Sequence, residues 1–438
     1  MSSLPKNQLE NNNSLNAGNI DPEGSMYAQS SGFGEALRTG TLCYVVTMPL
    51  VLLGIMVGQT LYWHLDTNQD VPRIPQASHF VLQTLSLWDG QWHLMNADMG
   101  YSYNPDTMSS VAFFPIYPLL VRCVERLTPF GLHVSGLIVS QFFLIASLVL
   151  LYHYISMTRK KNFKTPDIAF YAIFALAVFP TSFWLRMTYS EPLFLFLCLL
   201  TLYGMEKKWP FWIITVIAGT ATGTRLVGVA LFFVLAWHIW TNSSSFKQTM
   251  LRFCRLLPLS LWGVLAFMVF LWVKFDAPLA FSQTQTHWFH REPVSLIHRF
   301  QCAVTLEPIR SIFSSGSPAY WQKYDPRLPL LFSSHAMNAV IFVIVVLTGL
   351  FAISRRWVTT KEIILSFFLL GVPYISVGYT QYMMSHGRFC LMVFPFFIVL
   401  GTILSYCPKY VSFSFLSFLA LYLGLMSSML ASGGYYIL

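Results

Sequence analysis

Charge is scarce in this chain. Asp, Glu, Lys and Arg together make up 10% of its 438 residues, against about 25% in a soluble domain. That shortage excludes an ordinary soluble globule, and 55% hydrophobic with 16% aromatic side chains points instead to an all-α polytopic membrane protein. Cysteine supplies no framework. The seven present lie mostly inside apolar runs, without a Cys-x-x-Cys, which leaves no disulfide scaffold and no zinc site. Cys123 and Cys302 fall in segments expected outside the bilayer and are the candidates for a pair. His-Glu-x-x-His and Asp-x-Asp are both missing, although His287, His290 and His298 lie close together, and no metal is expected. The lack of Gly-x-Gly-x-x-Gly and of a Gly-x-x-x-x-Gly-Lys loop argues against direct use of a soluble nucleotide. The net charge of +9 comes from short basic clusters scattered between apolar runs, so membrane topology explains it and nucleic acid does not.

Apolar runs near 42–63, 134–157, 168–184, 190–205, 211–224, 226–241, 256–274, 333–353, 362–380, 389–406 and 411–430 predict about 11 transmembrane helices. Several fall short of the roughly 20 residues a bilayer requires. The basic clusters settle the parity: Arg159, Lys160, Lys161 and Lys164; Lys207 and Lys208; Lys247, Arg252 and Arg255; Arg355, Arg356 and Lys361; then Lys409. Placed in the cytosol by the positive-inside trend, they require an even number of crossings between them. Residues 211–241 then form two short helices turning near Thr224 and Arg225, or a re-entrant pair. Loops 64–133, 185–189, 275–332 and 381–388 share the opposite, extracytoplasmic face. Residues 1–38, rich in Asn, Ser and Gly, are expected to be a disordered cytosolic tail ahead of a transmembrane domain over 39–438. No cleavable leader is expected, because the first apolar run is long enough to span. The sequons at Asn12 and Asn242 fall on the cytosolic side and carry no glycosylation signal. Within 64–133, Pro72 and Pro75 oppose an early helix, while 119–127 has the spacing of a helix lying in the interface.

Asp89, in Trp88-Asp89-Gly90-Gln91-Trp92, is the leading candidate for chemistry. A carboxylate between aromatic faces at the mouth of a membrane cavity suits removal of a hydroxyl proton and the holding of a sugar ring. The plain alternative is an Asp-Gly turn with tryptophans at headgroup level. Arg225, in Gly219-Thr-Ala-Thr-Gly-Thr-Arg225-Leu-Val-Gly228, has no acidic neighbour in sequence. It is expected to be unpaired and fit to grip a phosphate, or else to snorkel at a helix end. Arg388 puts a basic group on the external face, against the topological trend. Glu191 pairs locally with Arg186, positions an arginine or a hydroxyl near Asp89, or caps a helix end, and Pro192 suits a helix start. His93 is a metal ligand, a proton relay or a solvated loop residue.

Trp88-Asp89-Gly90-Gln91-Trp92, Phe113-Phe114-Pro115-Ile116-Tyr117-Pro118, Phe179-Pro180-Thr181-Ser182 with Tyr189-Ser190-Glu191, Thr224-Arg225-Leu226-Val227-Gly228 and Ser385-His386-Gly387-Arg388-Phe389 resemble, in this order, the PIG-V family of mannosyltransferases. The resemblance covers about residues 40–405. It implies a GT-C glycosyltransferase, with about 11 transmembrane helices, a long first extracytoplasmic loop and an active site facing the lumen or periplasm. The family's eukaryotic members add the second mannose of the GPI-anchor precursor. Ser190 in place of threonine, Trp92 in place of tyrosine or phenylalanine, and the variable His386-Gly387 stretch depart from the pattern and bear on the acceptor.

The resemblance further implies an inverting transfer of mannose from a polyprenyl- or dolichyl-phosphate donor to a lipid-linked or glycan acceptor. Asp89 is then the catalytic base, and Arg225 with Arg388 bind the donor phosphate. Trp88, Gly90, Trp92, Tyr189, Glu191 and His386 are the expected substrate-binding residues. No cofactor or metal is expected, since an arginine pair can neutralise the leaving phosphate. The expected partners are the bilayer, the lipid-linked sugar and the acceptor, and the need for a small accessory membrane subunit is left open. A bacterial plasma membrane is favoured on short loops and a compact chain, with the endoplasmic reticulum membrane as the alternative. The rival reading is a transporter or flippase of lipid-linked sugars. It should carry polar groups at midspan in two related halves, whereas no internal repeat is visible and the ionisable residues singled out for chemistry gather at one face.

Overall fold

The computed structural model describes residues 22–61, 79–159, 164–323, 326 and 329–431, and every regular element among them is helical. In chain order the principal helices are α1 (Pro22–Leu61), α2 (Asp89–Asp98), α3 (Ile116–Leu127), α4 (Leu132–Thr158), α5 (Thr165–Val178), α6 (Glu191–Glu206), α7 (Phe211–Thr222), α8 (Ala230–Thr241), α9 (Phe246–Leu256), α10 (Trp262–Phe275), α11 (Ser334–Ser354), α12 (Thr360–Ser376), α13 (His386–Cys390), α14 (Phe394–Tyr406) and α15 (Lys409–Ala431). Five stretches are long and apolar enough to cross a membrane: Gly32–Leu61 of α1, α4, the segment Phe246–Phe275 that joins α9 to α10, α11 and α15. This makes the chain a multi-pass integral membrane protein. Each of the 11 apolar runs contains a helix, but α5, α6, α7, α8, α12 and α14 run only 12 to 17 residues, so length alone does not support the expected count.

The short helices have local causes. Pro180 pushes Phe179 into an extended conformation, ψ 140°, and α5 stops there. Glu191 and Pro192 open α6, where a missing backbone donor costs nothing. The tail boundary differs from expectation, because α1 already begins at Pro22 and so takes in 22–38. Residues 1–21, Pro72, Pro75, Lys160 and Lys161 lie outside the described residues. Cys123 is exposed and Cys302 buried, and both are free thiols.

Small residues set how closely the helices approach. Gly54 and Gly58 of α1 lie against the backbone of Gly424 and Ser428 in α15. In the same way Gly219 of α7 and Gly223 just after it meet Gly263 of α10, where a Cβ on Gly263 would collide with their backbone. The glycines preceding Arg225 therefore serve helix packing. They fix the corner at 223–225, where α7 turns toward α8 through a 3-10 turn at Leu226–Val229.

Charged groups gather at both ends of the bundle. At one end Glu362 accepts from Arg159 Nη1 at 3.0 Å and Nη2 at 2.8 Å, Lys361 pairs with Glu206, and Lys164 donates to Ser405 O at 3.2 Å. These partners belong to the basic clusters read from the sequence. Glu191 lies at the other end of the 16-residue α6 from Glu206, about 22 Å away along the helix. Around Glu191 the first loop folds back on the bundle. Its helix α3 buries Tyr117, Pro118 and Val121 and exposes Leu119 and Leu127, as an interfacial helix does. The segment after α10 docks on this loop, with Tyr103 donating to Gln283 Oε1 at 2.9 Å and Ser109 N to Thr284 Oγ1 at 3.1 Å.

Candidate active site

The Asp-Gly pair is no turn. Trp88 takes a left-handed φ of 54°, and Asp89 starts helix α2, its carboxylate at the positive end of the helix. Gly90 is held close, for a Cβ there would lie 2.5 Å from Thr188 Oγ1. Backbone pairing fastens this start to the segment leading into α6: Thr188 N donates to Leu85 O at 2.9 Å, and Tyr189 Oη to Leu87 O at 3.1 Å. Helix α4 supports the segment from below, Ser140 Oγ lying between Tyr117 Oη, at 2.8 Å, and the Tyr189 backbone. Asp89 and Glu191 are thereby brought to one place from sites 102 residues apart in sequence.

The second wall comes from the segment before α13. Tyr382, Met383 and Ser385 all have positive φ, and Gly387 N donates to Asn338 Oδ1 at 2.8 Å while Gly387 O accepts from Thr181 at 3.1 Å. Unfavourable backbone at the residues just before both Asp89 and Arg388 is a mark of sites held for function. Arg388 emerges from this corner into a cage of Trp184, Tyr189 and Phe389, its guanidinium 5.4 to 5.5 Å from each ring.

Four charged side chains meet here. Arg388 Nη1 donates to Asp89 Oδ2 at 2.6 Å, and Arg225 Nη1 donates to Glu191 Oε1 at 2.5 Å. Arg388 Nε lies 3.1 Å from the same Glu191 oxygen but is not aimed along a hydrogen bond to it. The Asp89 side chain retains 27% exposure and that of Arg225 18%, whereas Glu191 is fully buried. Burial pushes the Asp89 carboxyl up, but Arg388, by charge and hydrogen bond, with lesser help from Arg225, holds it below the usual carboxylate range. His93, one turn along α2 and packed on Phe113 and Tyr117, is pushed down to about 3 by burial, against the pull of Asp89. It is neutral at physiological pH and is no solvated loop residue.

Two expectations for the charged residues change. Arg225 is not unpaired, since Glu191, 34 residues upstream, holds it. Arg186 does not pair with Glu191 but is fully buried elsewhere, donating to Thr47 Oγ1 at 2.8 Å and Ala177 O at 2.9 Å. Among the aromatic and ring residues, Trp88 is 8% exposed and packed on Trp184, so its face is covered. Trp92 stacks on Phe113 at 5.8 Å and meets Trp288 at 6.2 Å, leaving a partly open aromatic corner beside Asp89. Tyr189 is fully buried against Arg388 and Trp184. His386 is buried, its ring packed among Phe342, Tyr374 and Phe389. Sequence reading missed Trp184 and Trp288. The first looks like the end of an apolar run, and the second sits in a loop with no local sign that it reaches Trp92.

Several buried polar atoms at this place have no partner among the described residues: Trp88 Nε1, Gln91 Oε1, His93 Nδ1 and Glu191 Oε2. Such atoms are rare in folded proteins, and these four belong to Glu191 and to residues within four positions of Asp89. Among the described residues, no three His, Cys, Asp or Glu side chains gather as a metal site would require.

A multi-pass helical protein with a carboxylate and arginine cluster at one end of its bundle is the class these features define. The sequence model described as Mannosyltransferase (PIG-V) matches residues 65–290, just over half of the chain and including Asp89, Glu191 and Arg225. The chain belongs to this family. No curated protein matches it. Two solved structures of the Archaeoglobus fulgidus oligosaccharyltransferase align at low similarity. The one tethered to an acceptor peptide has 11% identity and a TM-score of 0.37, covering 89% of this chain and 55% of that one. The one in complex with zinc and sulfate has 10% identity and a TM-score of 0.36, covering 87% and 52%. This chain spans about half the length of those proteins.

Proposed function

We propose that the enzyme moves mannose from a polyprenyl- or dolichyl-phosphate to a lipid-linked or glycan acceptor on the extracytoplasmic face, by a one-step inverting displacement on a GT-C-type bundle. The observation that carries this reading is the pairing of Asp89 with Arg388 in a partly open site that also holds Arg225. An acceptor hydroxyl attacks the anomeric carbon, Asp89 takes its proton, and the bond to the phosphate oxygen breaks with its electrons going to the lipid phosphate. Arg388 and Arg225 offset the charge that develops there. Of the two carboxylates, only Asp89 is exposed to a substrate. Glu191 is buried and engaged, which favours a single base over a covalent intermediate. Trp92, Phe113 and Trp288 supply the apolar face for a sugar ring.

The positive-inside trend supports the choice of face: the end bearing Arg159, Lys164 and Lys361 is cytosolic, so the Asp89 end is external. The shorter helices then cross in pairs, over residues 39–438, with 64–133 and 275–332 as the external loops. Either a bacterial plasma membrane or the endoplasmic reticulum satisfies this arrangement, and so does the presence or absence of an accessory subunit.

Membranes containing the enzyme, supplied with polyprenyl phosphate labelled in its mannose, are expected to pass label to a lipid acceptor without added nucleotide sugar. Label that only changes leaflet while remaining on polyprenyl phosphate supports the flippase instead. Arg225→Lys tests the donor side. A lysine cannot grip Glu191 and a phosphate with a planar fork, so donor KM is expected to rise about tenfold, the worth of one charged hydrogen bond, with acceptor KM nearly unchanged. Equal rises for both substrates contradict the assignment.

A further inference from the structure

Arg388 lies between the two carboxylates of the site. It bonds Asp89 at 2.6 Å, and its Nε lies 3.1 Å from Glu191 Oε1 without a properly directed bond. The other Glu191 oxygen, Oε2, is fully buried and has no partner among the described residues. A buried carboxylate with spare acceptor capacity beside a guanidinium is an unused seat for that guanidinium. On the opposite side Asp89 is the more exposed of the two acids, and so the easier one to give up to solvent or substrate. Buried ion pairs stabilise little relative to apolar packing, and so stability alone does not account for the arrangement.

We propose that Arg388 has two positions: in the donor-free enzyme it rests on Asp89, and when the donor binds it turns onto Glu191 and the donor phosphate, leaving Asp89 free as base. Glu191 is then a positioning residue, the fixed anchor for Arg225 and the pivot for Arg388. It does not itself contact the reacting atoms. The arrangement withholds a competent base until a phosphate is in place, which restrains proton transfer in the absence of donor. The proton balance is simple: the acceptor hydroxyl gives its proton to Asp89, and the negative charge released on the lipid phosphate faces Arg388 and Arg225. This inference rests on Asp89 being the base and on a phosphate-bearing donor.

The groups facing Asp89 are Arg388 from α13, Arg225 from the corner after α7, His93 from its own helix, and Tyr189 and Glu191 at the start of α6. His93 stays neutral above about pH 3, so Arg388 is the group whose movement changes Asp89 most. An opposite charge in contact lowers a carboxyl by about 1 to 3 units. The base works only when deprotonated, and activity falls as pH drops through its pKa.

The test compares two pH profiles of the wild-type enzyme in lipid, using polyprenyl-phosphate mannose and a lipid acceptor. kcat/KM for the donor reports Asp89 with Arg388 upon it, and kcat/KM for the acceptor at saturating donor reports it released. The acid limb of the second profile is expected about one pH unit or more above that of the first. In Glu191→Gln the pivot is lost, so the two limbs should converge and donor KM rise on the order of tenfold. Coincident limbs in the wild type overturn the two-position arginine. If Asp89→Asn is inactive at the same time, the base assignment survives that failure; if Asp89→Asn still turns over, the proposed function fails with it.

Discussion

Asp89→Asn is expected to abolish the proposed mannose transfer, with a loss of at least a hundredfold and up to about 10⁴, the range a general base contributes. The substitution keeps the size and shape of the side chain and removes its ability to take a proton. It should leave the fold intact, because asparagine is well tolerated at a helix start and the side chain is 27% exposed. Arg388 loses a partner but keeps Glu191 at hand. The measurement is label transfer per unit of enzyme, alongside yield in the membrane and melting temperature in detergent. Lost transfer with an unchanged melting temperature is the expected combination. Retained turnover removes Asp89 from the mechanism, while a collapse of yield would mean that the ion cluster holds the fold together.

Arg388→Met is expected to have the second largest effect. A preorganised cation at a developing charge is worth about 10² to 10³ in kcat, and methionine fills much of the same cage of Trp184, Tyr189 and Phe389 without the charge. The expected signature is a fall of that size in kcat together with a rise in donor KM. Asp89, relieved of the cation that depresses its carboxyl, should also move the acid limb of the residual activity to higher pH. A change in acceptor KM alone would contradict a phosphate-binding role. Steady-state kinetics at several pH values separate the two outcomes.

Much of the molecule was legible in the sequence, and the reason differs from part to part. The membrane class follows from composition, because a bilayer admits few charges whatever the fold. The corner at Arg225 followed from basic clusters on either side, whose parity forces 211–241 to return, and the structure has α7 and α8 meeting there. Span lengths were less legible. Phe179-Pro180 and the Glu191-Pro192 start divide apolar sequence into helices shorter than the runs suggested.

Asp89, Arg225 and Arg388 stood out because an ionisable residue at the edge of an apolar run is costly and therefore conspicuous. Their pairing was hidden. Arg388 and Asp89 are 299 residues apart, and Arg225 and Glu191 are 34 apart, so no local pattern connects them. Arg225 looked unpaired for that reason. Glu191 looked like a helix-capping acid, or a partner for nearby Arg186, because sequence proximity is the only geometry a sequence displays. Trp88 and His386 looked accessible as members of loop motifs. Packing against Trp184 covers the first, and packing among Phe342 and Tyr374 covers the second.

The central claim is a single displacement by an acceptor hydroxyl, with Asp89 as the sole participating carboxylate. Its most direct test is the anomeric configuration of the product, determined for purified enzyme in lipid with a polyprenyl-phosphate mannose of known anomer. One displacement predicts a glycosidic bond of the opposite configuration to the donor. Retention would require a mannose held covalently on a carboxylate between two displacements, and that result would contradict the account.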